Sequence, residues 1–488
     1  MTALWRLSAA TIARGVAAGS FTASEVTAAH LARVHLLDAS YSAFVETWDE
    51  RALATAAAID EDRAMGRPLG PLAGVPVACK DNLVLAGERT SAGSRLLAEF
   101  RSPYTATALA RLQAAGAVLL GRTNMDEFGM GNTTETSAFG PTRNPFDPSL
   151  VPGGSTGGGA AAIAADFCPL AIGSDTGGSV RQPASLCGVM GLKPTYGRVS
   201  RSGLVAYASS LDCVGALART AEDLALWLDV TAGLDAADPT SIAAERPATP
   251  QLTARKDLRG LRIGVPREMN GPGLDEEVLA VTRTAAQLAR QLGAELVDCS
   301  LPAVAHAVAT YYLIATAEAA SNLARYDGVR FGQRREGHGR LEAMMTRTRS
   351  SGFGDEVQLR ILLGTFALSY GYAEQFHGRA ARMRARLCAD FATAFANCDV
   401  LLSPTSPMPA FPLGSTHDDP LTLYLCDALT VPASLAGLPA MSQPFGSTHD
   451  GRPIGVQWTA SHGRETLLLQ ITHVLQQHSE HHLRRALP

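Results

Sequence analysis

Two serines in glycine-flanked loops and one lysine at the end of an apolar run are the residues best suited to covalent chemistry. Ser155 sits in Gly153-Gly154-Ser155-Thr156-Gly157, and Ser179 closes Gly173-Ser174-Asp175-Thr176-Gly177-Gly178-Ser179. A serine hydroxyl is a weak nucleophile until a nearby base takes its proton. No histidine occurs between Pro71 and Gly215, so a base for Ser179 drawn from this segment is either Lys80 or a carboxylate. Lys80 follows Val75-Pro76-Val77-Ala78-Cys79. An ammonium at such a strand end is partly desolvated, which lowers its pKa and frees the amine as a base. Thr176, Gly177 and Gly178 offer successive backbone N–H groups for an oxyanion. The pattern suits serine-dependent nucleophilic chemistry with Lys80 or a carboxylate as the base.

Two other readings of the same glycine-rich stretch compete. Residues 153–159 precede a helix and would suit an anion, but no Gly-Lys-Ser/Thr follows and no Rossmann spacing is present. Gly153 to Gly157 also matches G-x-S-x-G, which would make Ser155 a nucleophile served by a later Asp and a later His such as His306 or His377. That motif should follow a strand directly, and Val151-Pro152 is a poor strand end.

The elements that must carry these residues follow an α/β pattern. Thr22-Ala23-Ser24-Glu25 is a capping box, and Val26, Ala29, Val34 and Leu37 mark one helix face, interrupted by Arg33. Residues 1–65 therefore read as a helical segment, the first stretch being an ordinary helix. Beyond Pro71 come strands at 75–79, 117–120 and 169–172, with helices at 105–115 and 160–165 between them. A Pro-, Ala- and Asp-rich interval, 232–257, reads as a surface connection. A further β-α-β unit follows, with strands at 261–265 and 294–297; Val278, Val281, Ala285, Leu288 and Leu292 mark the buried stripe of its helix. The expectation is an α/β fold in which 66–231 holds the chemistry; 258–488 either forms a separate domain or, the favoured reading, completes one sheet.

The chain has 488 residues and a formal net charge of -4, so no global basic field draws nucleic acid or anionic membrane. No stretch reaches the ~18–20 apolar residues of a membrane span. Eight cysteines, none in a C-x-x-C pair, read as buried apolar residues of a reducing compartment rather than a metal or redox site. A cytoplasmic chain is the expectation.

The run from Pro152 through Gly191, taken with Lys80 in Gly74-Val75-Pro76-Val77-Ala78-Cys79-Lys80-Asp81-Asn82, resembles the amidase-signature family. The resemblance implies a large central mixed sheet flanked by helices on both faces, as a single domain. It implies Ser179 as the acyl-enzyme nucleophile, Ser155 after a cis peptide bond as proton bridge, and Lys80 as general base. It implies an oxyanion hole at Thr176, Gly177 and Gly178, and no metal.

Further runs, 121–131, 191–201, 318–328 and 363–369, extend the likeness over nearly the whole chain. They resemble the A-subunit family of glutamyl/aspartyl-tRNA amidotransferases, carbon–nitrogen ligases that use glutamine as amide donor. This implies hydrolysis of glutamine, with Arg360 on its carboxylate, Asp427 on its ammonium and Tyr311 donating a hydroxyl. By residue type alone, Arg360 would be a surface helix charge, Asp427 a cap or ordinary ion pair, and Tyr311 core. The resemblance further implies a heterotrimer completed by B and C subunits. Ammonia would pass through a tunnel to the partner that uses ATP and Mg and binds the misacylated tRNA; no cofactor is expected in this chain. Thr156 and Gly159 stand where serine is common, Gln358-Leu359 replaces a basic pair, and Cys213 and Cys426 replace amides. A stand-alone amidase acting on another small amide is the alternative.

Overall fold

A computed structural model describes residues 3–243, 247–337, 339–415 and 420–486. Its strands are β1 (Phe44–Thr47), β2 (Pro76–Lys80), β3 (Val118–Thr123), β4 (Leu170–Asp175), β5 (Met190–Lys193), β6 (Cys213–Ala218), β7 (Arg262–Pro266), β8 (Glu295–Cys299), β9 (Val400–Pro404), β10 (Ala440–Ser447) and β11 (Pro453–Ala460). They form an eleven-stranded sheet in the order β1-β3-β2-β4-β6-β5-β10-β11-β9-β7-β8. Pairs β2–β3, β2–β4, β7–β8 and β7–β9 are parallel and the others antiparallel, so the sheet is mixed. The later β-α-β unit thus continues the sheet that the glycine-rich segment begins.

The sheet geometry positions the site. β2 and β4 are parallel neighbours, with Val77 opposite Leu170 and Cys79 opposite Ile172. Their carboxyl ends emerge side by side, so Lys80 at the end of β2 and the turn 176–179 after β4 share one rim. Both strands are buried throughout, as apolar parallel strands covered on both faces must be. β6 runs antiparallel to β4 and pairs Cys213 with Asp175. The register therefore brings Asp212 opposite Thr176.

Local signals read from the sequence correspond closely to the helices. The capping box closes reciprocally: Thr22 N–H donates to Glu25 (2.7 Å) and Glu25 N–H to Thr22 Oγ1 (3.0 Å). Arg33, the odd residue on that helix's apolar face, is satisfied: its Nε donates to the Ala165 carbonyl at 2.8 Å and its guanidinium lies 3.9 Å from the Trp5 ring centroid. The helix expected at 275–292 spans Glu276–Gln291, capped by Asp275.

Three expectations are corrected. The first 65 residues are not wholly helical, because β1 adds to the sheet edge against β3; four residues are too few to show a period of two. The helix expected from Ala160 starts at Gly157, since three glycines are tolerated in a helix whose every residue is buried. Among the cysteines, Cys388 is exposed and Cys299 half-buried, while the other six are buried; all eight are free. The described residues of the interval 232–257 are mostly exposed or half-buried, anchored by Asp238, Ala248 and Leu252. No helix among the described residues is long and apolar enough to cross a membrane.

Candidate active site

Lys80 is fully buried, and its ammonium is the centre of a hydroxyl cage. Nζ donates to Ser155 Oγ (2.8 Å), Thr156 Oγ1 (2.8 Å), Ser174 Oγ (3.0 Å) and the Ser174 carbonyl (3.3 Å). Asn82 Nδ2 donates to the same Ser174 hydroxyl at 2.9 Å. Burial lowers the Lys80 pKa to about 7, against the opposing pull of Asp126, Asp175 and Asp212. A neutral amine is therefore accessible near neutrality, which is the requirement for a general base.

Ser155 follows a cis peptide bond from Gly154. Its loop is tied to the Ser179 loop by the Thr156 N–H, which donates to the Ser179 carbonyl at 3.1 Å. Ser155 has a lysine as its hydrogen-bond partner, not the histidine that a nucleophile elbow demands. The Ser179 hydroxyl makes no hydrogen bond among the described residues, and the residue is 8% exposed. The turn beneath it is held rigidly. Asp175 accepts from Arg181 Nε and Nη2, both at 2.9 Å, and both side chains are fully buried. Arg181 reaches on to the Thr430 carbonyl (2.9 Å), Gln457 Oε1 (2.7 Å) and Ser434 Oγ (2.9 Å).

The turn needs its glycines. At Gly178, φ is +148°, and a Cβ would lie 2.2 Å from Thr430 Oγ1. At Gly177 a Cβ would lie 2.8 Å from both the ring carbon Cζ and the hydroxyl of Tyr311. Thr430 Oγ1 donates to the Gly177 carbonyl at 2.7 Å, and Thr176 Oγ1 donates to Asp212 at 2.7 Å. The backbone N–H groups of Thr176, Gly177 and Gly178 have no partner among the described residues.

Tyr311, Arg360 and Asp427 converge beside this turn. Arg360 is 4% exposed, so it is not the surface charge its residue type suggests. Nε donates to Glu356 (2.7 Å) and Nη1 to the Tyr207 hydroxyl (2.8 Å), while the Tyr312 ring centroid lies 5.1 Å from the guanidinium. Asp427 is buried, receives Asn132 Nδ2 at 3.4 Å, and senses Arg360; burial pushes its pKa up to about 7. Tyr311 packs edge-on to Tyr312 at 5.2 Å.

The residues that support the site carry little signal in the sequence. Ser174, Asn82, Asp212, Tyr207 and Glu356 all touch the site, yet each is an ordinary polar residue in its local context. Only Thr156 carried a signal, as a retained hydroxyl. Its Oγ1 accepts from Lys80 and donates to the Ser174 carbonyl at 3.1 Å. Cys213 contacts buried Lys193 at 3.9 Å. No group of three His, Cys, Asp or Glu among the described residues is arranged to hold a metal.

The amidase family model matches residues 25–469. The A subunit of a glutamyl-tRNA(Gln) amidotransferase from Synechococcus sp. is 53% identical over 463 residues, 95% of each chain. The crystal structure of the A subunit of glutamyl-tRNA(Gln) amidotransferase from Thermotoga maritima superposes with a TM-score of 0.81 at 36% identity, covering 98% of this chain and 96% of that one. A 6-aminohexanoate cyclic dimer hydrolase superposes with a TM-score of 0.86 at 29% identity, covering 100% and 99%. A lysine caged by serine and threonine hydroxyls, a second serine on the adjoining turn and a family match over most of the sequence agree, and the chain belongs to the amidase family.

Proposed function

We propose that the chain is the glutaminase subunit of a tRNA-dependent amidotransferase. The observation that carries this reading is the convergence of buried Arg360 and Asp427, opposite charges, beside the Gly177 turn through Tyr311. A free amino acid requires such a pair: a guanidinium for its carboxylate and a carboxylate for its ammonium. Arg360 Nη2 has no protein partner among the described residues and would take the substrate carboxylate. The 53% identity to a relative named as the A-type chain of such an amidotransferase, against 29% to the cyclic dimer hydrolase, supports the same choice. The superpositions do not discriminate, since both are above 0.8.

In this mechanism Ser179 Oγ attacks the side-chain amide carbon of glutamine. Its proton passes to Ser155 while the Ser155 proton passes to neutral Lys80. The N–H groups of Thr176, Gly177 and Gly178 hold the oxyanion. Collapse breaks the C–N bond, and Lys80 returns a proton through Ser155 so that ammonia leaves. Water then hydrolyses the γ-glutamyl ester on Ser179 by the same relay. No step uses a metal or cofactor in this chain; ATP, Mg and the misacylated tRNA belong to a B-type partner, with a small C-type subunit completing a heterotrimer. Helix Asp355–Leu368 supports membership of an assembly: it buries Arg360 on one face and exposes Leu359, Leu362, Leu363 and Phe366 on the other. Such an apolar stripe at helical spacing is ordinarily covered.

The test is copurification of the tagged full chain, followed by glutamine hydrolysis with and without what binds it. Glutaminase activity that rises with partners and charged tRNA is the expected result. Brisk hydrolysis of simple amides by the chain alone, with no response to partners, refutes the assignment. An acyl-trapping reagent should label Ser179, and Ser179→Ala should fold but take no label.

A further inference from the structure

We propose that Asp212 is a positioning residue that couples the Arg360 side of the pocket to the oxyanion turn. The inference rests on the reading that Arg360 holds the carboxylate of the substrate. Its basis is a path of hydrogen bonds that runs through the body of Tyr207, from its hydroxyl to its backbone N–H. Arg360 Nη1 donates to the Tyr207 hydroxyl at 2.8 Å. The Tyr207 N–H donates to Asp212 Oδ2 at 3.0 Å, and the Ala208 N–H lies 3.1 Å from the same oxygen. Asp212 Oδ1 accepts the Thr176 hydroxyl at 2.7 Å, and Thr176 is the first residue of the oxyanion turn.

All four side chains, Arg360, Tyr207, Asp212 and Thr176, are buried. Water does not compete for these bonds, and in such surroundings each constrains its neighbours more strongly than at a surface. Asp212 makes no salt bridge among the described residues; both of its oxygens are spent on the two loops. The antiparallel register of β4 and β6 explains why it is there, since Cys213 pairs with Asp175 and Asp212 falls opposite Thr176. Tyr207 and Ala208 begin the tight turn that leads into β6, closed by the Asp212 N–H to Ala208 carbonyl bond at 2.8 Å. A substrate carboxylate on Arg360 thus bears on Tyr207, and through Asp212 on the donors that face the reacting carbonyl. An amide without that carboxylate leaves the path unloaded. A displaced oxyanion donor acts on the chemical step, not on ground-state binding.

The experiment compares kcat on glutamine with kcat on 4-aminobutanamide, the same molecule without its carboxylate, for the full chain with its copurifying subunits. Wild type should favour glutamine in kcat as well as in KM. Asp212→Asn and Thr176→Val should lower kcat on glutamine by about 10- to 100-fold, less than the ~10²–10³ of deleting an oxyanion donor outright, with KM for glutamine within about twofold. Thr176→Ser, which keeps the hydroxyl, should restore the preference. Equal slowing on both substrates marks a merely structural role and overturns the coupling, as does an unchanged kcat ratio in both variants. Should Asp212→Asn fail to fold, the Thr176→Val and Thr176→Ser pair decides alone. A wild type that shows no glutamine preference overturns the coupling together with the glutaminase reading, whereas a glutamine-selective wild type with unchanged ratios in the variants overturns the coupling only.

Discussion

The pH dependence of the reaction separates the two buried groups assigned to chemistry and to binding. Burial places Lys80 and Asp427 each at about 7, one lowered and one raised. In the proposed mechanism Lys80 works as a base when neutral, above its pKa, and Asp427 holds an ammonium when ionised, also above its pKa. Both requirements fail in the same direction as pH falls. Between pH 6 and pH 8 the active fraction of one such group rises from about 0.09 to about 0.91, so one group gives a change of about 10-fold and two give about 100-fold. The logarithm of kcat/KM for glutamine should therefore rise below neutrality with a limiting slope of about two. Phosphonate trapping of Ser179, or hydrolysis of a neutral amide without an amino group, should rise with a slope of about one, because only Lys80 is titrated. Asp427→Asn should bring the glutamine slope down to about one while raising KM. Stopped assays of ammonia release and mass-spectrometric trapping rates over this range supply both profiles. Equal slopes for the two probes would refute the role of Asp427, and a trapping rate flat between pH 6 and pH 8 would refute Lys80 as the base.

Other outcomes follow from the same geometry. Arg360→Gln should raise KM for glutamine by roughly 10- to 100-fold, the loss of a charged hydrogen bond of about 1.5–3 kcal/mol, with a smaller effect on a substrate lacking the carboxylate. Asp175→Asn uncompensates Arg181 in a fully buried pair, and urea unfolding should show a loss of about 3–5 kcal/mol. Gly178→Ala forces a side chain into left-handed backbone against Thr430, so Ser179 labelling should fall sharply even where circular dichroism reports a folded protein. Thr156→Val removes one acceptor from the Lys80 cage; kcat should drop at neutral pH, whereas Thr156→Ser should behave like the parent.

The glycine-rich loops and the lysine were legible because their chemistry is local. A run such as Thr176-Gly177-Gly178-Ser179 declares backbone exposure and a hydroxyl within four residues. The capping box at Thr22 and the stripe on Glu276–Gln291 were legible for the same reason, since caps and periodicity are properties of one turn or one helix. β1 was not, because a four-residue strand depends on β3 for its hydrogen bonds. Arg360 is the clearest contrast. By residue type and local context it reads as an exposed helix charge, and its burial follows only when helix Asp355–Leu368 docks against Ala307–Asn322 and the tyrosines close over it.

The amino-acid sequence by itself determined the reaction type. Ser179, Ser155 and Lys80, in glycine-flanked loops and at a strand end, with no histidine in reach along that segment, already select serine chemistry with a lysine as one of few available bases. What only the tertiary structure decided is the environment of those groups. Parallel pairing of β2 with β4 brings Lys80 to Ser155 and Ser174 from 75 and 94 residues away. Burial there lowers its pKa, and the β4–β6 register sets Asp212 against Thr176. Proton affinity, charge pairing and donor alignment depend on what surrounds a group in space, and most of that surrounding comes from distant parts of the chain.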